Sequence, residues 1–140
     1  MTKRYDCKFD GADGLRLAAM VRGPEDGPVV LLAHGGGQTH WAWRKTVTLL
    51  ADQGFRAIAI DLRGHGDSDR APDGGYTPID VAKDIVAITR QIGPKPAMVG
   101  ASLGGMAGMM AEGELSPGLF SSLTLVDITA VDWPERPARF

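Results

Sequence analysis

A serine flanked by glycines is the residue best suited to covalent chemistry in this sequence. Gly100, Ser102 and Gly104 form a G-x-S-x-G pattern between the apolar residues 96–99 and the largely apolar segment 105–110. A strand that turns sharply into a helix at this serine would hold its hydroxyl above the sheet in a strained backbone conformation. The positive end of the helix would then favour the negative charge of an acyl-transfer intermediate. The pattern predicts a nucleophilic serine, and the alternative is a serine in a structural turn.

A glycine run that follows an apolar strand predicts a partner for this serine. Residues 28–33 have the length and composition of a buried parallel strand, and they lead into a histidine and three glycines at 34–37. Such a loop leaves backbone N–H groups open at the carboxyl end of a strand. We expect the N–H groups of Gly36 and Gly37 to supply one half of an oxyanion hole. The N–H of Leu103, the residue after the serine, would supply the other half.

Two cofactor hypotheses use the same residues. The glycines of 35–37, with Asp61 closing the next strand, partly match a dinucleotide-binding fingerprint, but His40 stands where its third glycine belongs. A zinc site built from His34, His40, His65 and Asp61 lacks any recognised ligand spacing. We therefore expect neither an organic cofactor nor a metal ion.

Strands and helices alternate along the chain. Residues 15–22 alternate in polarity as a half-buried strand of an edge hairpin does, and the helix predicted to begin at Thr77 has apolar residues at helical spacing up to Ile92. Further apolar strands are predicted at 55–60 and 123–126. This order predicts an α/β fold, a mostly parallel sheet with helices on both faces and an active site at the carboxyl ends of its strands.

Three motifs together resemble a known family. The segments 34–37 (with Trp41 and Trp43 downstream), 61–68 and 100–105 occur in the order seen in α/β-hydrolase fold enzymes, and the resemblance to the amino-terminal half of such an enzyme runs from about Phe9 to Ile128. It implies a serine hydrolase that acts on a small ester-like carbonyl substrate through an acyl-enzyme, as esterases, lipases, perhydrolases and carbon–carbon bond hydrolases do. Trp43 would be core or pocket wall. Epoxide hydrolases and haloalkane dehalogenases carry aspartate at the position of Ser102, which argues against both.

The acid and base of the reaction are less well defined. Asp127 follows the strand after the nucleophile, where some relatives keep the triad acid; the alternative is a structural or lid-hinge residue. The family order is serine, acid, histidine, whereas all three histidines precede Ser102. We expect an inactive fragment whose fold is truncated after that strand, with a partial core domain at 1–130 and the start of a lid at 131–140. A non-catalytic binding module of the same fold is the alternative function.

The composition of the chain limits the classes of binding partner that we expect. The net charge is −2 without a basic cluster, so we expect a small-molecule substrate and neither nucleic acid nor a membrane surface. Cys7 is the single cysteine, and no signal-peptide pattern precedes it, which favours the cytoplasm. The strand at 123–126 is expected to leave an open sheet edge that permits oligomerisation or aggregation.

Overall fold

The computed structural model describes residues 5–128 and contains a six-stranded sheet. The strands are β1 (Cys7–Asp10), β2 (Arg16–Arg22), β3 (Val29–Ala33), β4 (Arg56–Ile60), β5 (Ala97–Ala101) and β6 (Ser122–Val126). Their order across the sheet is β1-β2-β4-β3-β5-β6. The β1–β2 and β2–β4 pairs are antiparallel, and the three remaining pairs are parallel. This arrangement confirms the predicted α/β class and its mostly parallel sheet.

Three helices connect these strands. They are α1 (Arg44–Asp52), α2 (Pro78–Ile92) and α3 (Leu103–Met110), with a π-helical turn at Ala111–Leu115 and short 3-10 turns at Ala12–Gly14 and His40–Trp43. The predicted start of α2 is confirmed. Thr77 and Asp80 form a reciprocal capping box, in which the Thr77 N–H donates to the Asp80 carboxylate at 3.0 Å.

Helices cover both faces of the sheet, as predicted. On one face α2 and α3 bury a large apolar layer that includes Leu31, Ile58 and Ile85. On the other face α1 buries a smaller layer around Leu32 and Val47. The sheet is therefore the middle of three layers. Because β3, β4, β5 and β6 are parallel, their carboxyl ends all lie at the same end of the sheet.

The predicted edge hairpin is present as β1 and β2, but the prediction that its strand at 15–22 is half-buried is wrong for the middle of that strand. Residues 17–20 are all buried, including those expected to face solvent. The reason is that both faces of β2 are covered: Leu17 and Ala19 belong to the layer that contains Leu31, and Met20 belongs to the layer around Leu32. Ala18 also donates its N–H to the buried Ser68 hydroxyl at 2.8 Å, which brings the loop after β4 against β2.

The other edge of the sheet is β6. Among the described residues β6 pairs with β5 alone, and its side chains alternate between exposed and half-buried. Within residues 5–128 no helix is both long and apolar enough to cross a bilayer. The predicted lid segment 131–140 lies outside the described residues.

Candidate active site

Ser102 lies at the turn between β5 and α3. Its backbone has φ 48° and ψ −112°, a sparsely populated conformation for a residue with a side chain. The turn is closed so tightly that a Cβ on Gly100 would lie 2.6 Å from the Gly104 carbonyl oxygen, and a Cβ on Gly104 would overlap the carbonyl of Ala33. The strand–turn–helix geometry predicted from the glycine spacing is therefore present. The Ser102 side chain is exposed, and its hydroxyl has no hydrogen-bond partner among residues 5–128.

The loop after β3 lies beside this serine. A Cβ built on Gly35 would be 3.5 Å from the Ser102 Cβ, and one built on Gly36 would be 4.0 Å from the Leu103 side chain. The parallel pairing of β3 with β5 explains the proximity, because it places the ends of both strands at the same level. The structure thus brings together the serine and the glycine loop that the sequence predicted to cooperate.

The N–H groups of this loop are not equivalent. The Gly35 N–H donates to the Gln38 side-chain oxygen at 3.0 Å, and the Gly37 N–H donates to His65 Nε2 at 3.0 Å. The Gly36 N–H has no partner among the described residues, and the Leu103 N–H belongs to the unpaired first turn of α3. Two of the three predicted donors, Gly36 and Leu103, are therefore free, whereas Gly37 is already engaged.

His34 is a structural residue. It is fully buried, and its Nε2 accepts the N–H of Leu62 at 3.0 Å. This leaves the proton on Nδ1, which donates to the Gly35 carbonyl at 2.7 Å. Burial lowers the pKa of His34 to about 4, so the ring stays neutral at physiological pH. With both nitrogens occupied, the side chain cannot take a proton from a serine.

The other two histidines are also engaged. His40 Nδ1 contacts the buried Asp61 carboxylate at 2.8 Å, and the His40 N–H donates to the same oxygen at 2.7 Å. His65 donates from Nδ1 to the Arg63 carbonyl at 2.9 Å. Asp61 additionally accepts the N–H of Asp67 at 3.0 Å and so stabilises the turn after β4. Within residues 5–128 no three potential ligands are grouped as a metal site would require.

Asp127 lies at the carboxyl end of β6, next to the serine. Val126 pairs with Ala101, and its carbonyl accepts the Ser102 N–H at 3.0 Å. Asp127 follows with φ 60° and is exposed. No histidine or other described residue forms a hydrogen bond or ion pair with its carboxylate. The structure therefore places Asp127 on the same rim as Ser102 without an imidazole between them.

Trp43 lies on the α1 face of the sheet. It is half-buried and packs against the layer that contains Leu32 and Val47, and its indole N–H is buried without a partner among the described residues. A separate open cavity of about 560 Å³ is lined by residues that include Met20, Trp41 and Asp67, and Ser102 is not one of them. These observations place Trp43 in the core and leave its predicted contact with substrate as an expectation.

Sequence reasoning missed a buried ion pair between the loop after β4 and α2. The Arg63 guanidinium donates to both carboxylate oxygens of Asp84, at 2.7 and 2.8 Å, and to the Gly75 carbonyl at 2.8 Å. Hydrogen bonding to Asp84 raises the pKa of Arg63 further above its ordinary value. Asp84 lies three residues after Val81 and four before Ile88, so it is on the same face of α2 as these apolar residues. A charged residue on an apolar helix face is the signal that could have found the pair.

The comparisons with known proteins agree with this geometry. The family model described as alpha/beta hydrolase fold matches residues 28–138. The chain belongs to the α/β hydrolase family. A Variovorax paradoxus protein provisionally named as the carbamate hydrolase RutD is 39% identical over 108 residues, which are 76% of this chain and 40% of that protein. An esterase of Mycobacterium tuberculosis, Rv0045c, is 36% identical over 73% of this chain and 33% of its own length.

A solved structure shows the same fold. The crystal structure of epoxide hydrolase VrEH1 from Vigna radiata superposes with a TM-score of 0.80 at 26% identity and covers 87% of this chain and 38% of that one. The chain therefore spans two fifths or less of these relatives. These three relatives are named as hydrolases of carbamates, esters and epoxides, so the comparisons support hydrolysis as the class of reaction.

Proposed function

We propose that this chain carries the nucleophile and the oxyanion hole of a serine hydrolase that acts on a small ester-like carbonyl. The observation that carries the proposal is the strained Ser102 beside two unpaired N–H groups, those of Gly36 and Leu103. Two backbone donors directed at one developing oxyanion lower the barrier to acyl transfer by several kcal/mol. Esterase and carbamate hydrolase relatives support a carbonyl substrate.

The proposed reaction has two steps. In acylation the Ser102 oxygen forms a bond to the carbonyl carbon, its proton passes through a general base to the leaving alcohol, and the carbon–oxygen bond to that alcohol breaks. In deacylation water attacks the acyl-enzyme, releases the acid and restores the Ser102 hydroxyl. The N–H groups of Gly36 and Leu103 hold the oxyanion in both steps. Asp127 is the candidate acid that would orient a histidine on this rim.

The general base is the component that these residues do not supply. His34, His40 and His65 are the three histidines of the sequence, and each is engaged in the hydrogen bonds described above. We therefore expect the 140-residue chain to turn over esters very slowly unless an added base such as imidazole takes the proton. A non-catalytic binding module would share this property, so the reactivity of Ser102 distinguishes the two functions.

Labelling with a fluorophosphonate tests the proposal. The probe phosphonylates a serine hydroxyl beside an oxyanion hole, and added imidazole can replace a missing base. Peptide mapping should locate the adduct at Ser102, with imidazole accelerating it. Ser102→Ala should abolish this adduct, whereas Ser121→Ala, which removes another exposed serine hydroxyl, should leave it unchanged. Labelling spread evenly over exposed serines would exclude an activated nucleophile and favour a binding module.

Epoxide hydrolysis is the second candidate, because the VrEH1 structure is similar. Ring opening in that class uses a carboxylate nucleophile, as the family resemblance implies, and this chain has Ser102 instead. Ser102→Asp, which places a carboxylate at this position, is compared with the unmodified chain in an ester assay and an epoxide assay. If imidazole-assisted turnover of p-nitrophenyl acetate depends on the serine and styrene oxide is left intact, the ester assignment stands. Consumption of styrene oxide by the unmodified chain would support the epoxide assignment.

A further inference from the structure

Two histidines join the glycine loop to the loop after β4 in a reciprocal way. His34, from the first loop, accepts the N–H of Leu62 in the second loop at 3.0 Å. His65, from the second loop, accepts the N–H of Gly37 in the first loop at 3.0 Å. The two imidazole rings lie 5.0 Å apart between centroids. Each loop is thus held by a side chain from the other.

The His65 bond requires a neutral ring. The Arg63 carbonyl can only accept a hydrogen bond, so the proton of His65 is on Nδ1 and its Nε2 carries the lone pair that accepts Gly37. A protonated imidazole has N–H groups on both nitrogens and no acceptor. Protonation would therefore place two donors, His65 Nε2–H and the Gly37 N–H, against each other at 3.0 Å. Gly37 is the residue after Gly36, so the repulsion would act directly on the oxyanion-binding loop.

We propose that His65 is a positioning residue for the oxyanion-binding loop: its neutral imidazole holds the Gly37 N–H and so keeps the Gly36 N–H directed at the oxyanion. The part that concerns the oxyanion rests on the proposed function, whereas the hydrogen bond itself does not. The consequence is a proton-sensitive oxyanion hole that loosens when His65 becomes charged.

The ionisable surroundings allow His65 to act alone in this way. His34 faces it across the ring contact and stays neutral to about pH 4 because burial lowers its pKa. Asp61 and His40 act electrostatically on the His34 ring and are bound to each other. The Arg63 guanidinium is directed to Asp84. Above about pH 4, His34 therefore carries no charge that could break the reciprocal pair from its own side.

Nuclear magnetic resonance of the ¹⁵N-labelled chain tests the hydrogen bond directly. At neutral pH a scalar coupling should connect the Gly37 amide nitrogen with His65 Nε2 across the N–H···N bond. The coupling should vanish as the imidazole becomes protonated, and the Gly37 amide resonance should shift with the same midpoint. The Gly113 amide, in open space on the π-helical turn, is the control. Absence of the coupling, or a Gly37 resonance that ignores the protonation of His65, would overturn the proposal.

A conservative variant distinguishes a positioning role of His65 in the oxyanion-binding loop from a purely structural role. In His65→Gln the amide oxygen can accept the Gly37 N–H, and it does not titrate. We expect this variant to react with the fluorophosphonate at the wild-type rate wherever the NMR titration shows the wild-type His65 ring to be neutral. Where that titration shows the ring charged, the variant should react about tenfold faster than wild type, because one donor of an oxyanion hole is worth about 10²-fold or more. Equal pH profiles would overturn the proposal. If neither protein is labelled at Ser102, the proposed function fails, and the coupling still decides the hydrogen bond.

Discussion

His34 should make the stability of the chain depend on pH. Its side chain is fully buried, and burial lowers its pKa to about 4 from an ordinary 6.5. As the pH falls, the unfolded chain takes up a proton at this residue before the folded chain does. The contribution of neutral His34 to stability is therefore complete above about pH 7 and is lost as the pH falls from 6.5 towards 4. Each unit of difference is worth about 1.4 kcal/mol, so the full loss is about 3 kcal/mol, of which about 2 kcal/mol is lost by pH 5.

Urea unfolding of the wild type and His34→Gln at pH 7 and pH 5 measures this contribution. The glutamine oxygen can accept the Leu62 N–H, and the side chain does not titrate. Other groups that change protonation between these pH values are common to both proteins, so the difference between the two losses isolates His34. We expect the wild type to lose about 2 kcal/mol more than the variant. An equal loss in the two proteins would refute the argument that burial keeps His34 neutral.

Three further sets of substitutions test the packing of the chain. Ser102→Gly should be more stable than Ser102→Ala by about 1 kcal/mol in thermal unfolding, the reverse of the usual order, because the left-handed backbone strains any residue with a Cβ; greater stability of the alanine variant would argue against strain. Gly104→Ala should lower the melting temperature by an amount equivalent to about 2 kcal/mol, whereas Gly113→Ala, which meets open space, should change it little; similar effects at both sites would contradict the tight turn. Arg63→Leu should destabilise by about 3–5 kcal/mol and the additional change Asp84→Asn should recover part of that loss, a recovery that additive effects would exclude.

The fold could be predicted largely because its signals are local. The apolar runs at 28–33 and 55–60, the Thr77 cap and the glycine spacing around Ser102 each specify their own element. The burial of β2 could not be predicted in this way. Alternating polarity indicates one covered face, but whether the other face is also covered depends on residues distant in the chain, such as Val47 of α1 in the layer that contains Met20.

The candidate site could likewise be predicted only in part. The positions of Ser102, Gly36 and Leu103 follow from motif and strand order, which the sequence displays. The engagement of Gly37 by His65 and the pairing of Arg63 with Asp84 join loops and helices that only the folded chain brings together. Their energetic reason is the need to satisfy buried polar groups, and a sequence does not show which partner will do so.

The amide resonances of the phosphonylated chain test the central claim most directly. A phosphonyl group on the Ser102 oxygen places a strongly polar phosphoryl oxygen, a hydrogen-bond acceptor, where the oxyanion would form. The account predicts that the Gly36 and Leu103 amide protons move strongly downfield on labelling, while the Gly35 and Gly37 amides, engaged by Gln38 and His65, move little. Unchanged Gly36 and Leu103 resonances in a chain labelled at Ser102 would contradict the assignment of these two groups as the oxyanion hole.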